Sequence, residues 1–164
     1  MKIPFAFVLF SSLAAQSGSA NISDYAAKYE ALIGLKSVAV LAYVESGLAR
    51  LAERTSLQTA LEVKLRQNGI AVDGPPLFGP QLTLTVSGSD PGPGALVGYS
   101  VRLALVDSVP LPERTKTRKV MSVTVWSFSQ GGIVPDTQLH RVRESAETVM
   151  NEFLNDWLKA NPKK

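Results

Sequence analysis

Residues 82–87 read LTLTVS, and this alternation of apolar and hydroxyl side chains decides the fold class. Successive side chains of a β-strand point to opposite faces of a sheet, so the Leu and Val side chains share one face and the hydroxyls share the other. A second alternating run follows at residues 97–105, after a loop rich in glycine and proline at 88–94. The two runs therefore predict a hairpin with one buried face and one polar face.

Two further strands are predicted around this hairpin. Residues 37–45 are β-branched or apolar at nearly every position, which is typical of a central strand covered on at least one face. Residues 120–128 follow the hairpin, and we expect them to pair with the preceding strand. Thr124 and Trp126 lie two positions apart, which predicts that they share a face. The four strands predict one sheet, antiparallel or mixed.

Amphipathic periodicity predicts two long helices. One begins at Thr55 or Ser56 and ends at Gly69, and its apolar stripe is formed by Leu57, Ala60, Leu61 and Leu65. The other begins at Asp136 or Thr137 and ends before Pro162. A short helix over residues 23–33 precedes the first strand. This order of elements predicts an α+β fold in which both long helices pack on one face of the sheet.

The N-terminus has the pattern of an export signal. Lys2 is followed by an apolar run over residues 3–13, which is shorter than a membrane-spanning helix, and Ala20 closes a stretch of small residues. We therefore expect residues 1–20 to be a signal peptide cleaved after Ala20. Residues 21–164 are then one domain, located in the periplasm or secreted, without a transmembrane segment.

Composition excludes several kinds of chemistry. The chain of 164 residues has no cysteine and one histidine, which rules out disulfides, thiol nucleophiles, cysteine zinc sites and clusters of histidine ligands. We expect no metal and no cofactor. A bacterial lipid anchor is attached through cysteine, so we expect none here. The formal net charge of +3 is too small to indicate a class of partner.

The single histidine, His140, is not expected to be catalytic. It shares a helix face with Arg143, Glu144 and Glu147, and this is the polar face of the last helix. A catalytic base would instead lie in a pocket beside a nucleophile. We therefore expect His140 to be exposed to solvent.

Carboxylates are the other route to catalysis, because a pair of them can do acid and base work without histidine. The candidates are Glu45, Asp90, Asp107 and Glu113, and each lies in a loop or at a strand end, where acidic residues commonly form turns. These carboxylates do not belong to any catalytic sequence motif. A carboxylate-dependent hydrolase is therefore a distant alternative, and we expect binding in preference to catalysis.

The clearest cluster of charge lies in the loop before the last strand, where four basic residues alternate with threonine and glutamate: Arg114, Lys116, Arg118 and Lys119. Such a loop suits an anionic glycolipid or polymer. It is more typical of a solvated hairpin tip that keeps a sheet edge soluble, because the overall charge is small. Nucleic acid is not expected, because no aromatic residue lies among the basic ones to stack on bases.

Two further expectations concern the faces of the sheet. Trp126 and Trp157 lie at apolar positions, which predicts core packing between the last strand and the last helix. Five residues are predicted to lie together on an exposed sheet face that could bind a partner: Thr83, Thr85, Ser100, Arg102 and Ser122.

The C-terminal third resembles that of small exported bacterial proteins of unknown function. The resemblance lies in VTVWSFSQGG at residues 123–132 and VMNEFLNDWLKANP at residues 149–162. In order of elements, the mature chain is also similar to envelope-assembly modules such as the lipopolysaccharide-assembly lipoprotein. This resemblance implies a non-enzymatic domain that binds an envelope protein, through the exposed sheet face or an edge strand. Binding of an anionic glycolipid or polymer through the basic loop is the alternative.

Overall fold

A computed structural model describes residues 28–45, 48, 53–74, 79–89, 92–110 and 120–162. The predicted signal peptide, the start of the predicted N-terminal helix and the basic loop lie outside these residues. Residues 28–30 are helical, and the turn that follows ends at Gly34, whose φ of 72° is left-handed.

The sheet has five strands in the order β2-β1-β3-β4-β5. Their bounds are β1 Ser37–Val44, β2 Ala71–Asp73, β3 Gln81–Ser89, β4 Leu96–Pro110 and β5 Val120–Pro135. β1 is parallel to β2 and β3, whereas β3, β4 and β5 form an antiparallel meander. The α+β class and the mixed sheet are confirmed, but the prediction of four strands is wrong. β2 was missed because three residues are too few to show periodicity.

Two long helices flank the core, α1 Arg54–Gln67 and α2 His140–Ala160. α1 ends as predicted, because Gly69 has a φ of 86° and the amide of Ile70 donates to the carbonyl of Leu65 at 3.0 Å. α2 begins later than predicted, since a single 3-10 turn at Asp136–Gln138 precedes it.

Both helices cover the same face of the sheet. Buried leucines of α1 and the apolar stripe of α2 belong to one continuous core with the inward side chains of β1, β3, β4 and β5. The two helices also contact each other directly, because Lys64 Nζ donates to Asn151 Oδ1 at 2.8 Å. The predicted packing of both long helices on one face is confirmed.

The last strand differs from its prediction in two ways. Leu105 pairs with Trp126 but Val106 pairs with Thr124, so Val125 is an extra residue in β5 and forms a β-bulge. Because the bulge inverts the alternation, Trp126 faces the core whereas Thr124 faces the opposite side, and the prediction that they share a face is wrong. β5 also runs on to Pro135 instead of ending at Phe128.

The helices cover only one face of the sheet, and substitutions at two adjacent residues of β3 test this packing. Leu84 is fully buried under the helices, whereas Thr85 lies on the uncovered face. We expect Leu84→Ala to lower the free energy of unfolding by about 2–5 kcal/mol, because it leaves a cavity in the core. Thr85→Ala should cost less than about 1 kcal/mol. Urea denaturation measures both, and equal losses would contradict the described packing.

Candidate functional site

The sheet face opposite the helices, called the open face below, is dominated by hydroxyl groups. No helix of the described chain packs on it. The pairing of strands places these residues on it together: Tyr43, Thr83, Thr85, Ser87, Ser100, Arg102, Ser108, Ser122, Thr124, Ser127 and Ser129. All five residues predicted to share an exposed face are among them, so that prediction is confirmed.

Arg102 is the charged group in the middle of the open face. It pairs with Thr85 of β3 on one side and with Ser129 of β5 on the other. Tyr43 extends the same row across β1, and 57% of its surface is exposed. Among the described residues no carboxylate forms an ion pair with Arg102, which is exposed on this face.

The four basic residues proposed from the sequence, Arg114, Lys116, Arg118 and Lys119, lie outside the described residues. The strands that lead to them are described, however. β3 pairs with β4 only as far as Val106, so residues 107–110 of β4 and 120–123 of β5 pair with each other alone. At about 3.3 Å per residue, this two-stranded arm extends about 13 Å beyond β3.

The other residues considered for catalysis have local roles where they are described. His140 is exposed, and its Nε2 lies 4.0 Å from Glu144 Oε1 on the same helix, as the polar face predicted. Glu45 accepts a hydrogen bond from the amide of Gly88 at 2.9 Å, and Asp107 accepts one from the amide of Ser108 at 2.7 Å. Asp90 and Glu113 lie outside the described residues.

One carboxylate that the sequence did not single out is the most heavily engaged group described. Asp156 of α2 is 5% exposed, although it lies between Asn155 and Trp157 in a helix that reads as ordinary and amphipathic. Lys28 Nζ lies 2.9 Å from its carboxylate, and the indole N–H of Trp126 donates to it at 3.1 Å. The Tyr29 hydroxyl donates at 3.4 Å.

Burial acts to raise the pKa of Asp156, but its partners outweigh burial. The hydrogen bonds from Lys28 and Trp126, together with the positive charges of Lys28 and Lys159, hold the pKa below its usual value. Asp156 is therefore ionised at neutral pH, where it accepts hydrogen bonds and has no proton to give. Its chemistry suits a structural clamp better than a general acid.

Both predicted core tryptophans contribute to the packing. Trp126 is buried, meets the Phe153 ring edge-on at 5.1 Å, and lies under Lys28, whose Nζ is 4.9 Å from its ring centre. Trp157 is half-buried and donates its indole N–H to the carbonyl of Leu35 at 2.9 Å. The predicted packing between the last strand and the last helix is confirmed for Trp126. Trp157 packs against the edge of the core, but its hydrogen bond goes to the segment before β1 and not to the last strand.

Across the described ranges, no group of three acidic or histidine side chains is arranged to hold a metal ion. Within the same ranges, no helix is long and apolar enough to cross a membrane.

No family model and no curated protein matches the chain. Solved structures with a similar arrangement include a dodecameric PelC variant from Paraburkholderia phytofirmans, at 20% identity and a TM-score of 0.40, covering 76% of this chain and 88% of that one. A minor lipoprotein from Acinetobacter baumannii matches at 12% identity and a TM-score of 0.29, covering 77% of this chain and 93% of that one.

Rare lipoprotein B from Shewanella oneidensis matches at 16% identity and a TM-score of 0.22, covering 74% of this chain and 89% of that one. Two of these three proteins are lipoproteins by name. The similarity is too distant to transfer the role of any residue.

The lowered pKa of Asp156 predicts a pH-dependent contribution to stability. Because the carboxylate is ionised more readily in the folded than in the unfolded chain, its contribution is complete above about pH 4 and is lost as the pH falls through the lower folded value. We expect Asp156→Asn to lower the free energy of unfolding by about 1–3 kcal/mol at pH 7. The difference from wild type should shrink below about pH 4.

The matched control is Glu144→Gln, which removes a solvent-exposed carboxylate from the same helix. Urea denaturation across this pH range should show little change for the control. The role assigned to Asp156 would be contradicted if wild type and Asp156→Asn had the same free energy of unfolding at pH 7. It would also be contradicted if the difference between their free energies did not change with pH.

Proposed function

We propose that the chain is a non-enzymatic binding module of the bacterial cell envelope, and that it engages an envelope protein through its open face. The observation that carries this proposal is the one-sided sheet. Two helices bury one face, while the other presents aligned hydroxyl groups around Arg102.

The chemistry of the open face suits recognition of a protein surface. Hydroxyl groups both donate and accept hydrogen bonds, so a row of them adapts to many polar partners. Arg102 adds a planar cation that forms paired hydrogen bonds with a carboxylate. Tyr43 supplies an exposed aromatic ring at the end of the same row, and Tyr and Arg are both enriched at protein interfaces.

The rigid core under the open face supports this function. The inward side chains of β3, including Leu82, Leu84 and Val86, are fully buried beneath the helices. A surface held in place by such packing loses little conformational entropy when it binds. Location in the envelope rests on the signal-peptide pattern of residues 1–20, which remains a prediction.

Site-specific photocrosslinking tests the proposal. A photoreactive amino acid at Thr85 lies on the open face, whereas the same group at Thr59 lies on the exposed surface of α1 and is the matched control. In cells that produce the native chain, we expect a discrete crosslinked protein from position 85 and none from position 59.

Arg102→Glu should weaken the position-85 crosslink at least about tenfold. The substitution replaces the central cation by a negative charge, which repels a carboxylate of the partner. Arg54→Glu on α1 controls for the change in net charge. Equal crosslinking from positions 85 and 59, or an Arg102→Glu variant that crosslinks normally, would contradict the proposal.

A second candidate function is binding of an anionic glycolipid or polymer through the basic loop. The observation in its favour is the arm, which carries the ends of this loop about 13 Å beyond β3, at the edge of the molecule. Phosphate groups on a glycolipid surface can approach positive charges at the end of the arm more readily than positive charges beside the helices.

Reversal of the loop charges tests this second candidate. We expect glutamate at 114, 116, 118 and 119 together to abolish salt-sensitive sedimentation with vesicles that contain lipopolysaccharide, because Coulomb attraction to phosphate is lost. Reversal of Arg54 and Arg141, which are exposed on the helices, should leave it intact. Unchanged sedimentation of the loop variant would remove this candidate.

A further inference from the structure

The two edges of the sheet are built differently. β2 is the strand at one edge, and it has only three residues, one of which is the charged Asp73. Little of its backbone is therefore open to pairing. β5 forms the other side with sixteen residues, none of them charged. Edge strands are usually protected by charge, proline or short length. Between the bulge at Val125 and Pro135, β5 has none of these devices.

The stretch Trp126–Val134, called the β5 edge below, pairs with β4 on its inner side and with no described strand on its outer side. Every second residue there directs its amide N–H and carbonyl outward. A regular row of alternating donors and acceptors is matched by another extended polypeptide backbone, whereas sugars and nucleic acids have no such row. The chemistry of the edge therefore selects an extended peptide segment.

An apolar patch adjoins one end of this edge on the open face. Leu96 is 63% exposed and Ile133 is 73% exposed, and apolar side chains that are exposed together mark an interaction surface more than single ones do. Leu96 pairs with Pro135 and Gly98 pairs with Ile133, so the apolar groups are neighbours at the same end of β4 and β5. A strand added to the β5 edge would cover Ile133 with its own side chains.

A second copy of this chain fits the edge poorly. Two-fold pairing of Trp126–Val134 with itself is centred on Gln130, which places Ile133 opposite Ser127 of the second copy. The apolar patches would then lie at opposite ends of the joint sheet and remain exposed. Ile133 meets its own counterpart only if the paired stretch shrinks to the last residues of the strand.

We propose that the β5 edge binds an extended segment of a partner protein as a sixth strand, with an apolar side chain of that segment against Ile133. This inference rests on the proposed function and names the class of partner contact. It adds a main-chain contact along β5 to the side-chain contacts of the open face.

Proline substitution tests the main-chain contact. Ser129 and Gln130 are adjacent and both exposed, and only one of the two amides points outward. Proline at the inward amide removes a bond to β4 and should lower the Tm by about 10 °C or more. Proline at the outward amide should retain the fold, which identifies the variant that blocks the edge.

The probe is a phage library of random peptides of about nine residues, the length that spans the β5 edge, selected on the purified protein. We expect selected peptides to protect the outward amides of Trp126–Val134 from hydrogen exchange. The proline variant that keeps the fold should bind them at least about tenfold more weakly. Ile133→Ser should also weaken binding, whereas Met121→Ser, at an exposed residue in the arm of the same strand, should not.

Peptides that bind the outward proline variant and wild type equally would overturn the inference, as would a library that yields no edge-binding peptide. Protection of the β5 edge in the purified protein alone, with a dimeric mass, would assign the edge to a second copy and also overturn it. If crosslinking from Thr85 persists while the edge tests fail, the proposed function stands without this inference. If the edge tests succeed but no crosslink forms from position 85, the proposed binding through the open face is rejected and the β5 edge remains as the binding site.

Discussion

The buried carboxylate of Asp156 is the constraint on which the described arrangement depends. A carboxylate taken out of water costs several kcal/mol unless charged and polar partners surround it. Its partners come from separate parts of the chain: Lys28 and Tyr29 before the sheet, and Trp126 within β5. Asp156 therefore holds the N-terminal segment, the edge strand and the last helix together, and the loss of any partner would leave a charge under-compensated.

Further contacts continue this clamp along the last turn of α2. Asn161 donates to the carbonyl of Leu32 at 2.8 Å and accepts from the amide of Gly34 at 2.7 Å. Trp126 reaches the carboxylate only because the bulge at Val125 turns it toward the helices, while Thr124 remains on the open face. The same bulge thus serves two purposes, since it closes the core and separates the sheet from the arm.

Most of the fold follows from local patterns, and the parts that do not are set by contacts between distant residues. Alternation in residues 82–87 predicts β3 and its faces, and the leucine spacing predicts α1, because each pattern lies within one element. The bulge at Val125 and the three residues of β2 depend on the register with neighbouring strands. Asp156 has a local signal, since it lies three residues after Phe153 and seven after Val149 on the buried stripe of α2. What the local pattern does not show is its partners, because Lys28 and Trp126 lie far away in sequence.

The candidate surfaces divide between the two ends of the sheet. The N-terminal segment, Trp126 and the arm lie at one end, because β1 and β3 begin there and β4 passes β3 there. Ile133 and Leu96 lie at the other end, about 23 Å from Trp126 along β5. A partner strand against Ile133 therefore leaves the arm accessible.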